Sequence, residues 1–390
     1  MTEWKEYKLG DLLQVNQKSI AKDFPFTKIE YLDTGSITLG KIDGFQIFNL
    51  ADAPSRAKRL LTNNDIIYST VRPIQRHYGI IKNPNPNIVV STGFAVLSCD
   101  VHVTDPYFIY YFLTQDDVVN YLDSVAEGST SAYPSLTPDV ITDIDILLPE
   151  LPEQRTIASI LSSLDDKIDL LHRQNKTLEA LAETLFRQWF IEEAEESWEE
   201  CSLFDAMEIV GGGTPKTEII EYWNGEINWM SGKDISSNHK QFILSTEKKI
   251  TEEGLKNSSA KVLPKYASVV SARGTVGKIC LLSIPMAFSQ TNYGILPRIK
   301  ESFFFTYLLL SYSIEELQSA SYGSVFDTIT TNTFKEHKIS IPKETEIIEF
   351  EEKVSPLFHK MNSNTNQIHT LTQLQDTLLP KLMSGEVRVK

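Results

Sequence analysis

From Ile157 onward, apolar side chains recur at alternating steps of four and three: Ile157, Leu161, Leu164, Ile168, Leu171, Asn175, Leu178, Ala182, Leu185 and Trp189. Nine of these ten positions are apolar, and neither Gly nor Pro interrupts them. That pattern is the heptad seam of one long helix whose apolar stripe faces a second helix. A shift of 193 residues gives a matching series, Phe350, Val354, Leu357, Met361, Asn364, Ile368, Leu371, Gln375, Leu378 and Leu382, with eight of ten apolar. Pro356 and Pro380 fall near the two ends of this second series, so a break or kink is expected at each.

The two seams are expected to pair with each other, and antiparallel. A parallel pair would oblige the whole intervening segment to carry the chain back by a full helix length. An antiparallel pair sets a positions against d positions. With Asn175 opposite Asn364, every seam residue meets another, from Ile157 with Leu382 to Trp189 with Phe350. A buried Asn–Asn contact then fixes register, at some cost in stability. The 32 steps from Ile157 to Trp189, at ~1.5 Å each, give a rod of roughly 48 Å.

The segments before each seam read differently. Short β-branched and aromatic runs, such as Asp65-Ile66-Ile67-Tyr68-Ser69, Ile88-Val89-Val90 and Ser268-Val269-Val270-Ser271, alternate with turn clusters such as Asn83-Pro84-Asn85-Pro86-Asn87. A helix is expected near Pro106–Leu122 and another near Ser302–Ala320. These segments also repeat. At offsets of about 193–201 residues, Trp4, Leu9, Asp11 and Val15 meet Trp198, Leu203, Asp205 and Ile209. Val71-Arg72-Pro73 meets Ala272-Arg273-Gly274, and Thr92-Gly93-Phe94 meets Thr291-Asn292-Tyr293. The matches are colinear, as a tandem duplication requires. The expected fold is α+β: mixed α/β domains over 1–150 and 198–341, with long helices over 151–197 and 342–390 forming an antiparallel coiled coil.

A chain of 390 residues exceeds one ordinary core, as two domains demand. Cys99, Cys201 and Cys280 are odd in number and lack CxxC spacing. That disfavours a disulfide framework or a zinc site and suits a reducing cytoplasm. No apolar run reaches the roughly 20 residues of a membrane span, and the opening Met1-Thr2-Glu3-Trp4-Lys5 lacks the plan of a signal peptide. The net charge of −15 counts against nucleic-acid binding, since phosphate contacts need Lys and Arg. Its distribution softens the objection: 1–150 carry −7, 151–197 carry −5, 198–341 only −2 and 342–390 −1.

Catalytic motifs are hard to find. Gly211-Gly212-Gly213-Thr214-Pro215-Lys216-Thr217 departs from the phosphate-loop pattern, and Arg273-Gly274-Thr275-Val276-Gly277-Lys278 has Ile279 where Ser or Thr is needed. Both read as turns. Asp327 with Glu336-His337-Lys338 resembles a nuclease cluster, but the first half has only Asp143 and Asp145 there. The His residues show no ligand spacing. What remains is a set of basic, hydroxyl-rich and aromatic loops: Arg56, Lys58 and Arg59; Arg72 and Arg76; Ser131 and Tyr133; Lys216; Lys233 and Asn238-His239-Lys240; Arg273, Thr275 and Lys278. Arg reads guanine edges bidentately, while Lys and Thr hold phosphates.

Leu148-Pro149-Glu150-Leu151-Pro152-Glu153-Gln154-Arg155-Thr156-Ile157-Ala158, with Leu185-Phe186-Arg187-Gln188-Trp189-Phe190, resembles the central region of type I restriction–modification specificity subunits. Leu378-Leu379-Pro380-Lys381-Leu382-Met383-Ser384-Gly385-Glu386-Val387 resembles that family's C-terminal signature. Gly213-Thr214-Pro215-Lys216, Trp223-Asn224-Gly225 and Ser231-Gly232-Lys233-Asp234-Ile235 resemble the opening of its target-recognition domain, a motif the first half lacks. The resemblance implies a non-catalytic subunit bound to double-stranded DNA, each globular domain reading one half of a bipartite target. It implies two modification subunits, which bind S-adenosylmethionine, docked on the helices. Restriction (motor–endonuclease) subunits using ATP and Mg would join them, leaving no cofactor or metal on this chain. The alternative is a coiled-coil scaffold whose globular domains bind proteins, which the acidic charge favours.

Overall fold

The two heptad seams lie on the two longest helices, Leu151–Arg187 (the central helix, continued by a π-helical turn over Gln188–Glu192 that carries Trp189) and Glu344–Met383 (the C-terminal helix). The computed structural model describes residues 4–128, 134–320 and 328–389. The chain divides into two units, Met1–Lys167 with Leu371–Lys390, and Ile168–Thr370. Each unit therefore contains a stretch of both helices, and in each the pairing is antiparallel.

In the first unit Ile157 and Leu161 share one buried cluster with Leu382 and Met383, and Gln375 donates to Asp165 at 2.7 Å. In the second, Trp189 packs on Phe350 with ring centroids 5.6 Å apart. Between those points Asn364, 0% exposed, donates from Nδ2 to Asn175 Oδ1 at 2.9 Å. Its own Oδ1 is buried without a partner among the described residues, so Asn364 stabilises little and its worth lies in register. In a double-mutant cycle, Asn175→Leu and Asn364→Leu are each expected to destabilise, and the double variant to recover part of the loss. A coupling of about 0.5–3 kcal/mol is expected from denaturation midpoints, and simple additivity would refute the contact.

The C-terminal helix corrects an expectation, since it runs without a break through Pro356 and Pro380. Each proline removes one N–H and crowds the carbonyl four residues back, at ~3 kcal/mol. Tertiary packing outweighs that cost. Val354, Phe358 and Leu382 beside the prolines are buried, and Phe358 stacks on Phe304 with centroids 4.5 Å apart and planes 3° from parallel. The expected helix near Pro106–Leu122 is two helices instead, Pro106–Leu113 and Asp116–Glu127. Thr114 turns its hydroxyl back to the Tyr111 carbonyl at 3.0 Å, and Gln115 is extended.

One end of the helix pair, the start of the central helix and the finish of the C-terminal helix, is tied down in the first unit. Gln154, fully buried, donates to the carbonyls of Pro149 and Val103 and accepts from the Thr104 hydroxyl and the Asp105 N–H. That satisfies its amide and explains the polar residue inside Leu-Pro-Glu-Gln-Arg. Gly385 ends the C-terminal helix at φ 74°, and a Cβ there would lie 3.3 Å from the Trp4 ring. Arg388 then forms a bidentate pair with Glu153 at 2.6 and 2.7 Å.

The strands show the duplication in three dimensions. In the first unit, Leu13–Val15, Phe94–Cys99, Asp65–Ser69 and Tyr78–Ile81 form one sheet in that order. Gln46–Asn49, Lys28–Leu32, Ile88–Ser91 and Ala57–Leu60 form the other, in which Lys28–Leu32 and Ile88–Ser91 run parallel. The second unit repeats the first order with Met207–Gly211, Asn292–Pro297, Ser268–Ser271 and Ile279–Leu282, adding Phe242–Ile243 at the edge. It repeats the other with Lys248–Ile250, Trp223–Met230, Met286–Phe288 and Val262–Leu263, again with one parallel pair. Asp65–Ser69 is buried on both faces: Ile66 and Tyr68 enter the cluster that holds the helix pair, and Ile67 enters the cluster between the sheets. The second unit does the same with Val270 and Val269. Continuous apolar strands of this kind need cover on both sides.

In the second unit Glu351 on the C-terminal helix accepts from the backbone N–H groups of Phe304 and Phe305, capping the helix Phe303–Ala320. Burial pushes its carboxyl up to about 7 against the pull of those donors. Glu179 on the central helix, bonded by the Tyr307 hydroxyl at 3.0 Å, is pushed up to about 7 by burial as well.

Candidate nucleic-acid interface

In the first unit a run of backbone hydrogen bonds links the basic loops. The Thr92 N–H donates to the Arg56 carbonyl at 2.9 Å, and the Thr70 N–H to Gly93 at 2.9 Å. Thr70 in turn accepts from Leu136 at 2.9 Å, and Arg72 N–H donates to Pro134 at 3.1 Å. A single turn of 3-10 helix, Pro73–Gln75, leads to Arg76, whose carbonyl accepts from Leu39 at 2.9 Å. Arg56, Arg72 and Arg76 thus lie along one hydrogen-bonded ridge. Arg72 and Arg76 flank the turn at φ 46° and 57°, the left-handed region that side chains with a Cβ avoid. Arg56 and Arg72 are exposed, while Arg76 is held by Asp116 at 2.7 Å. Lys58 is exposed on the strand Ala57–Leu60, and Arg59 beside it is half-buried. The Arg59 Nε is buried without a partner among the described residues. Ser131 and Tyr133 lie outside the described residues, and Pro134, the next described residue, touches the ridge.

The second unit builds the same junction. The Ala272 N–H donates to Thr291 at 3.1 Å, and the Ala272 carbonyl accepts from Ile329 at 3.0 Å, just as Thr70 sits between Gly93 and Leu136. Thr70 is therefore the counterpart of Ala272, one residue from the alignment that set Val71-Arg72 against Ala272-Arg273. The turn after it carries the exposed residues Arg273 and Thr275 and the half-buried Lys278. The Thr275 hydroxyl hydrogen-bonds to that of Ser236 at the end of the helix Gly232–Ser237. That helix opens with a Ser231–Asp234 capping box and presents Lys233, which pairs with Glu247 at 2.8 Å and stays exposed. Lys216 is exposed as well. Its segment is pinned by two tryptophans, Trp223 donating to the Lys216 carbonyl at 3.2 Å and Trp229 to the Gly213 carbonyl at 2.9 Å. Gly213 is required by crowding: a Cβ would come within 2.2 Å of the Ala260 backbone. The glycine run is thus a close approach of two backbone segments.

Lys240 departs from its sequence reading as part of a basic loop. Its ammonium lies between Glu183 at 2.5 Å and Glu315 at 3.0 Å. Burial lowers its pKa, but those two carboxylates more than offset this and hold it charged. It ties the turn before Phe242–Ile243 to the central helix. Residues that sequence reasoning left aside include Thr70 and Thr92, which act through backbone hydrogen bonds, and Ser236, which acts through its hydroxyl.

Residues 1–180 and 195–375 each match the type I restriction modification DNA specificity domain. The chain belongs to that family. It is a specificity subunit of the type I restriction–modification kind, a DNA-recognition component and not a catalytic one. The HindI specificity subunit of Haemophilus influenzae is 27% identical over 99% of this chain and 100% of its own length. The MjaIX specificity subunit of Methanocaldococcus jannaschii is 27% identical over 85% of this chain and 79% of its own. The crystal structure of the type I restriction–modification S subunit from M. genitalium covers 97% of this chain and 96% of its own at 17% identity, with a TM-score of 0.59. That likeness extends to the fold. Among the described residues, no helix of this specificity subunit is long and apolar enough to cross a membrane.

Proposed function

We propose that each globular half of this specificity subunit reads one half of a bipartite target in double-stranded DNA, and that the helix pair sets the unread gap. The observation that carries this is the repeated junction, Thr70 between Gly93 and Leu136 and Ala272 between Thr291 and Ile329. It presents Arg56 and Arg72 in one half and Arg273 and Thr275 in the other. Arginine forks supply bidentate contacts to guanine, and hydroxyls and ammonium groups supply phosphate contacts. Arg76 and Lys233 already hold carboxylate partners. They reach DNA by exchanging one anion for another.

Modification subunits, two per chain, would dock on the helices and supply S-adenosylmethionine; restriction subunits would bring ATP and Mg. Such an assembly works in the cytoplasm, where the three cysteines stay reduced. The net charge of −15 favours instead a scaffold whose globular halves hold proteins. Selection from random duplexes, with the full chain and its modification subunits, separates the two. Enrichment of two short fixed blocks at constant spacing is expected. Recovery of unbiased duplexes would leave the scaffold.

A further inference from the structure

One turn beside the arginine ridge combines exposure with strain. Ile37–Thr38 and Lys41–Ile42 form a two-residue hairpin whose centre is Leu39-Gly40, with φ 50° and 77°. Two positive φ values in succession are the pattern of the hairpin turn that Asn-Gly fits without strain, and leucine does not. Leu39 is nevertheless 60% exposed, so burial does not compensate it. Ile47 and Ile220 are more exposed, at 75% and 76%, but neither has a positive φ. Among the described residues Leu39 alone is a strongly exposed large apolar side chain on a left-handed backbone.

The base of the hairpin is built to hold that tip still. Ile37 is fully buried, and Gly79 is open beneath it, since a Cβ there would meet Ile37 Cδ1 at 2.5 Å. The Gly40 N–H donates to Tyr78 at 2.8 Å and the Leu39 N–H to Arg76 at 2.9 Å. The His77 ring bonds to the Ile37 carbonyl at 2.6 Å. Leu39, Arg72 and Arg76 thus form a connected group of three left-handed residues. On the next turn Ile74 is 49% exposed, with its N–H taken by Asp123 at 3.1 Å. Strain held in place by surrounding hydrogen bonds marks positions kept for what they touch.

We propose that Leu39 is a specificity-determining residue of the first half, a preorganised apolar finger that packs against base edges of duplex DNA, the thymine methyl above all. The proposal rests on reading this ridge as a DNA interface. Arginines alongside fix the backbone and read guanine, and an aliphatic tip adds the one contact that a charged group cannot make. Held rigidly, it gives up little entropy on binding.

The test compares the full chain and its Leu39→Asn variant, each assembled with modification subunits, on the duplex selected by the original protein. Asparagine suits the turn, so the variant is expected to melt about 2–4 °C higher. It is expected to bind that duplex about tenfold more weakly, a loss in the range of one base contact. The dependence of affinity on salt should not change, because no phosphate contact is removed. Deoxyuridine in place of one thymine of the first half-site should weaken the original protein and leave the variant unaffected. Equal affinity would overturn the proposal. So would an altered salt slope, a loss shared by both half-sites, or a melting point lowered by several degrees, which would mark a packing role. Failure of both proteins to select any duplex would instead overturn the DNA reading on which the proposal stands.

Discussion

A specificity subunit lacking residues 168–174 and 365–371 is expected to select a target whose gap is about three base pairs shorter. These two deletions face each other across the seam, so Asn175 still meets Asn364 on one side and Asp165 still meets Gln375 on the other. Each removes one heptad, two turns of a paired helix, and so leaves the apolar stripe on the same side. The rod loses ~10 Å at ~1.5 Å per residue, which is about three steps of duplex at ~3.4 Å. Three base pairs also turn one half-site by roughly 100° about the DNA axis, at ~10.5 base pairs per turn. The helix pair does not rotate to match. Affinity for the new target is therefore expected to fall by an order of magnitude or more. Selection from random duplexes measures both effects. An unchanged gap would show that the helices do not set it.

The second large effect is on stability. Phe350 is 1% exposed at the meeting point of the two helices in the second unit. Its ring lies 4.8 Å from Phe190, 5.6 Å from Trp189, 6.1 Å from Phe186 and 6.3 Å from Phe305. Phe350→Ala removes a ring that this many rigid neighbours cannot collapse to replace, and about 3–5 kcal/mol is expected to be lost. Ile348→Ala, two residues away on the exposed side at 43%, is expected to stay within about 0.5 kcal/mol. Denaturant unfolding followed by tryptophan fluorescence reports the difference. Trp189 and Trp198 lie in the affected cluster, and the transition of the first unit should not move. Equal losses in the two variants would mean that the seam is not packed as described.

Much of this architecture was legible in the chain. The alternating steps of four and three are a property of one helix face, so they located both long helices, their opposed direction and the pairing of Asn175 with Asn364. Colinear matches between the halves located the duplication, because equivalent folds keep equivalent residues in order. Local rules failed where tertiary packing outweighed them. Pro356 and Pro380 should have broken a helix, and buried neighbours such as Phe358 carried it through. The repeat was misaligned by one residue at Thr70 and Ala272, since identity of side chains there is weak and only the hydrogen bonds define the match.

The interface was the least legible part. Sequence determined which residue types were available, Arg56 and Arg72 in one half and Arg273 and Thr275 in the other, because charge and hydroxyl chemistry are local. Only the tertiary structure decided that Arg76 and Lys233 already hold carboxylate partners. Lys240 read as part of a basic loop, and two carboxylates distant in sequence, Glu183 and Glu315, claim it. Leu39 read as nothing at all. Its place beside Arg76 and its left-handed backbone arise from bonds to strands far along the chain, and a pattern of polar and apolar letters carries no record of those.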